Sequence, residues 1–123
     1  MKTESLTSVL ARLRDADLPA FEGMVLDGPN VRGRSFGDTP LHIIAIWGDL
    51  EAARVLIEAG AEIDARGEHQ FTPLHEAVSQ GKAEVADLLL KHGANPKLVS
   101  DMGDAFALAD YEQFPTLRGI LKP

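Results

Sequence analysis

Apolar residues recur three and four positions apart in short runs separated by glycine, a pattern that predicts brief amphipathic helices joined by tight breaks. Leu6, Val9, Leu10 and Leu13 put one apolar face on a helix over Ser5–Arg14, with Ser5 or Thr3 as its cap. A turn at Asp15–Asp17 leads to a second helix from about Pro19 to Leu26, carrying Phe21, Met24 and Val25, and Gly28-Pro29-Asn30 closes it. Leu41, Ile44 and Ala45 then draw a narrow stripe on a helix of about two turns that Gly48 breaks. Ala52, Val55, Leu56 and Ala59 define a longer helix ended by Gly60, whose lack of a Cβ suits a left-handed closing residue.

The pair is then written again. Thr72-Pro73-Leu74-His75 answers Thr39-Pro40-Leu41-His42 after 33 residues, with Gly81 answering Gly48, Glu84 answering Glu51, and Gly93-Ala94 answering Gly60-Ala61. Between Thr39–Asp64 and Thr72–Lys97, 10 of 26 positions are identical, where composition alone gives roughly two. Leu74, Ala77 and Val78 repeat the first stripe, and Val85, Leu88 and Leu89 the second. Threonine can cap a helix by accepting a hydrogen bond from an orphan N–H one turn in, and proline after it loses nothing at the first helical position. A fixed period in this range marks stacked units, each of which needs a neighbour to bury its apolar face.

Thr-Pro-Leu-His, a short helix, Gly, then a longer helix closed by Gly-Ala, at period 33, resembles the ankyrin repeat. The resemblance implies an all-α solenoid of about four helix-turn-helix units, two full repeats flanked by degenerate capping repeats. It also implies β-hairpin-like finger loops between units, and protein binding through the finger tips and the concave face of the first helices. It gives His42 and His75 a structural role, bonding backbone between neighbouring loops. The fingers are Val31–Asp38, Glu62–Phe71 and Asn95–Gly103, and the full helix pairs are Thr39–Ala61 and Thr72–Ala94.

Both ends depart from the pattern. Phe21–Val25 set beside Ala52–Leu56 reads as a degenerate first repeat without its Thr-Pro-Leu-His. In the last unit Asp104-Ala105-Phe106-Ala107-Leu108-Ala109 follows at spacing 32, with Asp104 as cap, and a short second helix Pro115–Lys122 keeps Leu117, Ile120 and Leu121. A chain of 123 residues fits one domain with a modest core.

The formal net charge of −7 disfavours nucleic acid or an anionic membrane as partner and favours a basic protein surface. With no cysteine there is no disulfide framework and no thiolate chemistry, which is compatible with the cytoplasm. The N-terminal residues lack the apolar stretch of a signal peptide, and no stretch has the length to cross a bilayer. No histidine pair has i, i+4 spacing, and a metal needs three or four convergent ligands. No serine has a nucleophile-elbow context. The expectation is a non-catalytic protein with no metal and no cofactor.

In the family the two positions before the Gly that ends the first helix face the concave side. Here these are Ile46 and Trp47, Ser79 and Gln80, and Tyr111 and Glu112. The finger positions add Ser35, Phe36, Asp38, Glu68, His69, Phe71, Asp101 and Met102. Of seven aromatic residues, Phe36, Trp47, Phe71 and Tyr111 map to this one surface, and aromatic side chains there are the composition of an interface core. The expectation is therefore a monomer that docks another protein, acting as an inhibitor, immunity or protective factor. The alternatives are an adaptor scaffold or a structural subunit of a homo-oligomer.

Overall fold

The computed structural model describes residues 4–33 and 37–121. Ser35 and Phe36, two of the finger residues, and Lys122 lie outside the described residues. Seven α-helices are present among them: α1 (Leu6–Asp15), α2 (Pro40–Trp47), α3 (Leu50–Glu58), α4 (Pro73–Ser79), α5 (Ala83–Lys91), α6 (Ala105–Tyr111) and α7 (Pro115–Leu121). The helices pack in two rows. In the first row α2 lies on α4 and α4 on α6; in the second α1 lies on α3, α3 on α5 and α5 on α7. The pairs α2–α3, α4–α5 and α6–α7 join the rows. Leu41, Ile44, Leu56, Leu74, Leu89, Leu108 and Leu117 are completely buried between them, each worth about 1.5–3 kcal/mol relative to exposure.

The starts of the first-row helices carry the repeat's local chemistry. Thr39 and Thr72 cap α2 and α4, their hydroxyl oxygens accepting from the N–H of His42 and His75. Each histidine reaches back in turn, its Nδ1 accepting from the N–H of Thr39 at 3.0 Å or of Thr72 at 3.1 Å. Two of the orphan donors at each helix start are thereby satisfied within a buried site. At the far end of α2, Gly48 has φ +74°, and a Cβ there would meet the Lys82 stem at 2.6 Å. The left-handed backbone is what favours glycine here, since the flexible Lys82 stem can move aside.

The N-terminal unit differs from its expected form. Pro19 to Leu26 is not an α-helix: a single 3₁₀ turn covers Pro19–Phe21, and Gly23 at φ +71° redirects the chain. Helix α1 packs on α3 and so extends the second row; the first unit contributes a second-row helix and no first-row α-helix among the described residues. Arg12 fastens it, bonding Glu4 and, at 2.8 Å, the Asp49 carboxylate that caps α3. Ala59 is another difference, because it follows the end of α3 and is exposed.

The fingers are joined mainly by side chains. Arg32 donates to the Arg66 carbonyl at 2.9 Å, and Arg66 one finger on donates to the Val99 carbonyl at 2.7 Å. Asn30 accepts from the Glu62 N–H at 2.7 Å, and the Asp64 carboxylate accepts from the Asn95 N–H at 3.1 Å. Among the described residues the one β-bridge is the isolated Ser100–Gly103 pair within the third finger. The second finger turns at Glu68–Gln70 and the third at Asp101 and Met102, and arginine and Asx rungs hold neighbouring fingers side by side.

Asp104 caps α6 as the shifted spacing requires, its carboxylate accepting from the Ala107 N–H at 2.9 Å. The three caps differ in burial, Thr39 and Thr72 being 2% and 0% exposed while the Asp104 bond is exposed. Thr39→Ala and Thr72→Ala are expected to cost about 2 kcal/mol each, because a buried donor is stranded. Asp104→Ala is expected to cost roughly 1 kcal/mol, the solvent-exposed value. Urea denaturation of the three variants checks the order, and equal costs would deny the buried capping box its extra weight.

Candidate functional site

The sequence of the first-row helices sets the character of the surface they build. None of α2, α4 and α6 contains a lysine or arginine. Trp47 closes α2 and is 38% exposed, and Tyr111 closes α6 and is 73% exposed. Helix α4 stands between them, so the two rings are separated by roughly two helix spacings of 8–10 Å. Gln80, the counterpart of Trp47 just after α4, is exposed, as is Glu112 just after α6; Ile46 and Ser79 are half-buried, with Ile46 packed against the core. The helix-end residues singled out from sequence thus form one strip along the C-terminal ends of the row.

The finger residues divide. Asp101 and Met102 are exposed, and His69 is exposed with φ +59°, its ring 3.5 Å from Glu68 and 3.9 Å from Asp101. Phe71, expected near a tip, is only 6% exposed. Its ring stacks on His75, centroids 5.4 Å apart, and its carbonyl accepts from His42 Nε2 at 2.8 Å. Phe71 is therefore core, pulled inward by the histidine it covers. Asp38 is also buried, at 7% exposure: its Oδ1 accepts from the Glu68 N–H at 3.0 Å and lies against Gly67, leaving no room there for a Cβ. It stitches two fingers together and presents no free carboxylate tip.

Glu76 was not singled out from sequence and is the most perturbed carboxyl. It lies on α4 one residue after the histidine, where α2 has Ile43, and Leu108 holds the corresponding place after the Asp104 cap. Burial, with the carboxylates of Asp38 and Glu68 adding to it, pushes its pKa up to about 7. A charged residue in an otherwise apolar column was the available signal. The buried rings of His42 and His75 are held below the ordinary histidine value, chiefly by desolvation. With Nδ1 an acceptor, both carry their proton on Nε2. That arrangement serves structure and offers no general base. Among the described residues no three His, Cys, Asp or Glu side chains are grouped to hold a metal, and no described helix is long and apolar enough to cross a membrane.

Stacked helix pairs, a row of capped first helices and finger loops define a repeat solenoid whose exposed feature is an extended surface. The family described as ankyrin repeats (3 copies) matches residues 11–100. The chain belongs to the ankyrin-repeat family, a class of generally non-catalytic modules for protein–protein interaction. It is similar to BRCA1-associated RING domain protein 1 of Caenorhabditis elegans, 32% identical over 121 residues, covering 90% of this chain and 17% of that protein. Protein phosphatase 1 regulatory subunit 12A of mouse is 34% identical over 111 residues, 89% of this chain and 10% of the relative. Protein phosphatase 1 regulatory subunit 27 of human is 38% identical over 68 residues, 55% of this chain and 44% of the relative. The chain thus spans less than half the length of each of these relatives.

The Glu76 carboxyl carries a pH dependence with a definite sign. The folded protein keeps its proton up to about pH 7, whereas the ordinary value is 4.5. The folded state binds the extra proton between these values, so this site's contribution to stability is full below about 4.5 and is lost as pH rises through about 7. Glu76→Gln removes that slope. Urea denaturation at pH 5 and pH 8 is expected to show the variant's stability rising relative to the parent at the higher pH. Parallel curves would place Glu76 in water.

Proposed function

We propose that this chain binds another protein, one with a basic contact surface, through the ends of its first-row helices and the exposed finger residues, and that it acts by covering that partner as an inhibitor, immunity or protective factor. The observation that carries this reading is Trp47. A large indole, 38% exposed, ends a helix at a position where the next unit has Gln80 and the last has Glu112, so the stacking itself does not call for a ring. Exposed tryptophan and tyrosine are the residues that anchor protein interfaces when partly desolvated sites close over them. Glu112 lies in that strip, Glu68 and Asp101 lie on the fingers at the other ends of the first-row helices, and those helices contain no lysine or arginine, the nearest cation being Lys82, whose stem lies on Gly48. Such a surface attracts and orients a cationic partner and speeds encounter.

The covering role is supported by what the described chain offers: one preorganised face, with stacked units that hold it rigid before contact. Two of the similar proteins are, by name, regulatory subunits of a phosphatase, which suits a module that acts on a partner and not on a small substrate. Ser35 and Phe36 belong to the same proposed surface by their place on the first finger. Phe71 and Asp38 leave it, because both are committed to the fold.

Trp47→Ala is expected to weaken binding by about 2 kcal/mol or more while lowering stability by no more than about 2 kcal/mol. Phe71→Ala, by contrast, is expected to cost about 3–5 kcal/mol of stability. Because Trp47 is the sole tryptophan, its emission reports the site directly and should shift blue when the partner docks. Association should also slow as salt rises, since exposed charges are screened beyond roughly 10 Å at 0.1 M. Salt-independent association would remove the basic partner. A Trp47→Ala variant that binds normally would remove the surface, and a pure protein that sediments as a defined oligomer would favour self-assembly instead.

A further inference from the structure

The first-row helices present their side chains in tiers. Residues four apart on a helix lie one above the other, so one turn nearer the fingers than Trp47, Gln80 and Glu112 come Ile43, Glu76 and Leu108. Ile43 and Leu108 are 8% and 1% exposed. Glu76, on the helix that lies between theirs, is half-buried. It is the one ionisable side chain of its tier, and it stands between the strip and the finger carboxylates of Asp38 and Glu68.

Among the described residues no hydrogen bond or ion pair reaches the Glu76 carboxyl. The charges that act on it are the carboxylates of Asp38 and Glu68. The other charged groups on the elements packed against α4 are engaged elsewhere or exposed. On α6 Asp110 pairs with Arg118 at 3.0 Å, and on α5 Asp87 pairs with Lys91 at 2.8 Å while Glu84 is exposed. The rings of His42 and His75 face the backbone of Phe71 and Gly103. In the fingers Arg32 and Arg66 donate to carbonyls, and His69 stands exposed by Glu68 and Asp101. A half-buried carboxyl that meets two like charges and no cation favours its neutral form, and its pKa of about 7 agrees with that geometry. The missing counter-charge is what a lysine or arginine side chain carries.

We infer that docking of a basic partner on this face is coupled to loss of the Glu76 proton, a lysine or arginine of the partner seating against the Glu76 carboxylate, so that pH sets how tightly the partner is held. The inference rests on the basic-partner reading above and adds its regulation. Its sign follows from linkage. Binding favours the deprotonated form, so it releases a proton wherever the unbound protein holds one, and affinity falls as pH drops below about 7. Above that value the proton is already gone and the dependence flattens.

Two measurements on the whole chain test it, with a fluorescently labelled octa-arginine peptide as probe, since arginine stays charged throughout. Carbon-detected NMR titration of the Glu76 carboxyl should give a midpoint of about 7 in the unbound protein and one lower by at least about one pH unit with the peptide bound. Fluorescence anisotropy should show affinity rising about tenfold from pH 5.5 to pH 8. Glu76→Gln, which fixes the neutral form, should bind at every pH as weakly as the parent does at pH 5.5. His69→Gln, which removes the exposed imidazole of the second finger, should keep the slope whatever its affinity. A Glu76 midpoint in the ordinary carboxylate range, equal slopes in the parent and Glu76→Gln, or a slope lost with His69→Gln would overturn the coupling and leave the docking reading standing. A peptide that binds this face at no pH would overturn both. If Glu76→Gln does not fold, the NMR midpoints decide alone.

Discussion

Two helices of seven to nine residues cannot enclose an apolar core, and that constraint organises the whole molecule. Each pair leaves one side of its stripe uncovered until the next pair is laid against it, so the buried leucines of α2–α3 are completed by α4–α5, and those in turn by α6–α7. Everything that must repeat, from the capping threonine to the glycine under the next turn, repeats because the stacking distance is the same each time. Everything that varies lies where the next unit makes no demand.

Stacking alone would leave the polar backbone of the connecting loops short of partners, and the histidine rung answers this where it is complete. His42 accepts from one backbone N–H and donates to a carbonyl in the neighbouring finger, so a single neutral ring satisfies two units. The same demand explains why Phe71 is core: its carbonyl is the acceptor and its ring covers the next histidine. Low dielectric makes such a network firm when satisfied and costly when it is not. His75 keeps the Nδ1 half of this rung, and its buried Nε2 lies by the Gly103 backbone without a close hydrogen bond.

The proposed binding strip follows from the same division of labour. Helix ends beyond the capped start and the buried middle are the residues that stacking leaves free, and there the three units diverge to Trp47, Gln80 and Glu112. Rigid units hold those side chains at fixed spacing, which is what a recognition surface needs to meet a partner without a large ordering cost.

The repeat, the helix pairs Thr39–Ala61 and Thr72–Ala94, the threonine and aspartate caps and the Trp47 exposure were all legible in the residues, because each rests on local spacing or on comparing one copy with the other. The first unit was not. Phe21-Glu22-Gly23-Met24-Val25 carries a helical apolar spacing, yet Gly23 breaks it and α1 takes the second-row place, a choice made by which face of α3 needed covering. Phe71 and Asp38 looked like finger tips in one dimension; only the fold brings His75 beneath the one and the Glu68 N–H against the other. Glu76 showed its odd position in sequence, but its raised pKa arises from burial and from two carboxylates on other segments. Periodicity and capping act over a few residues, and a sequence states them directly. Burial and hydrogen-bond completion between residues about thirty apart depend on where stacked units meet, and only the tertiary structure decides that.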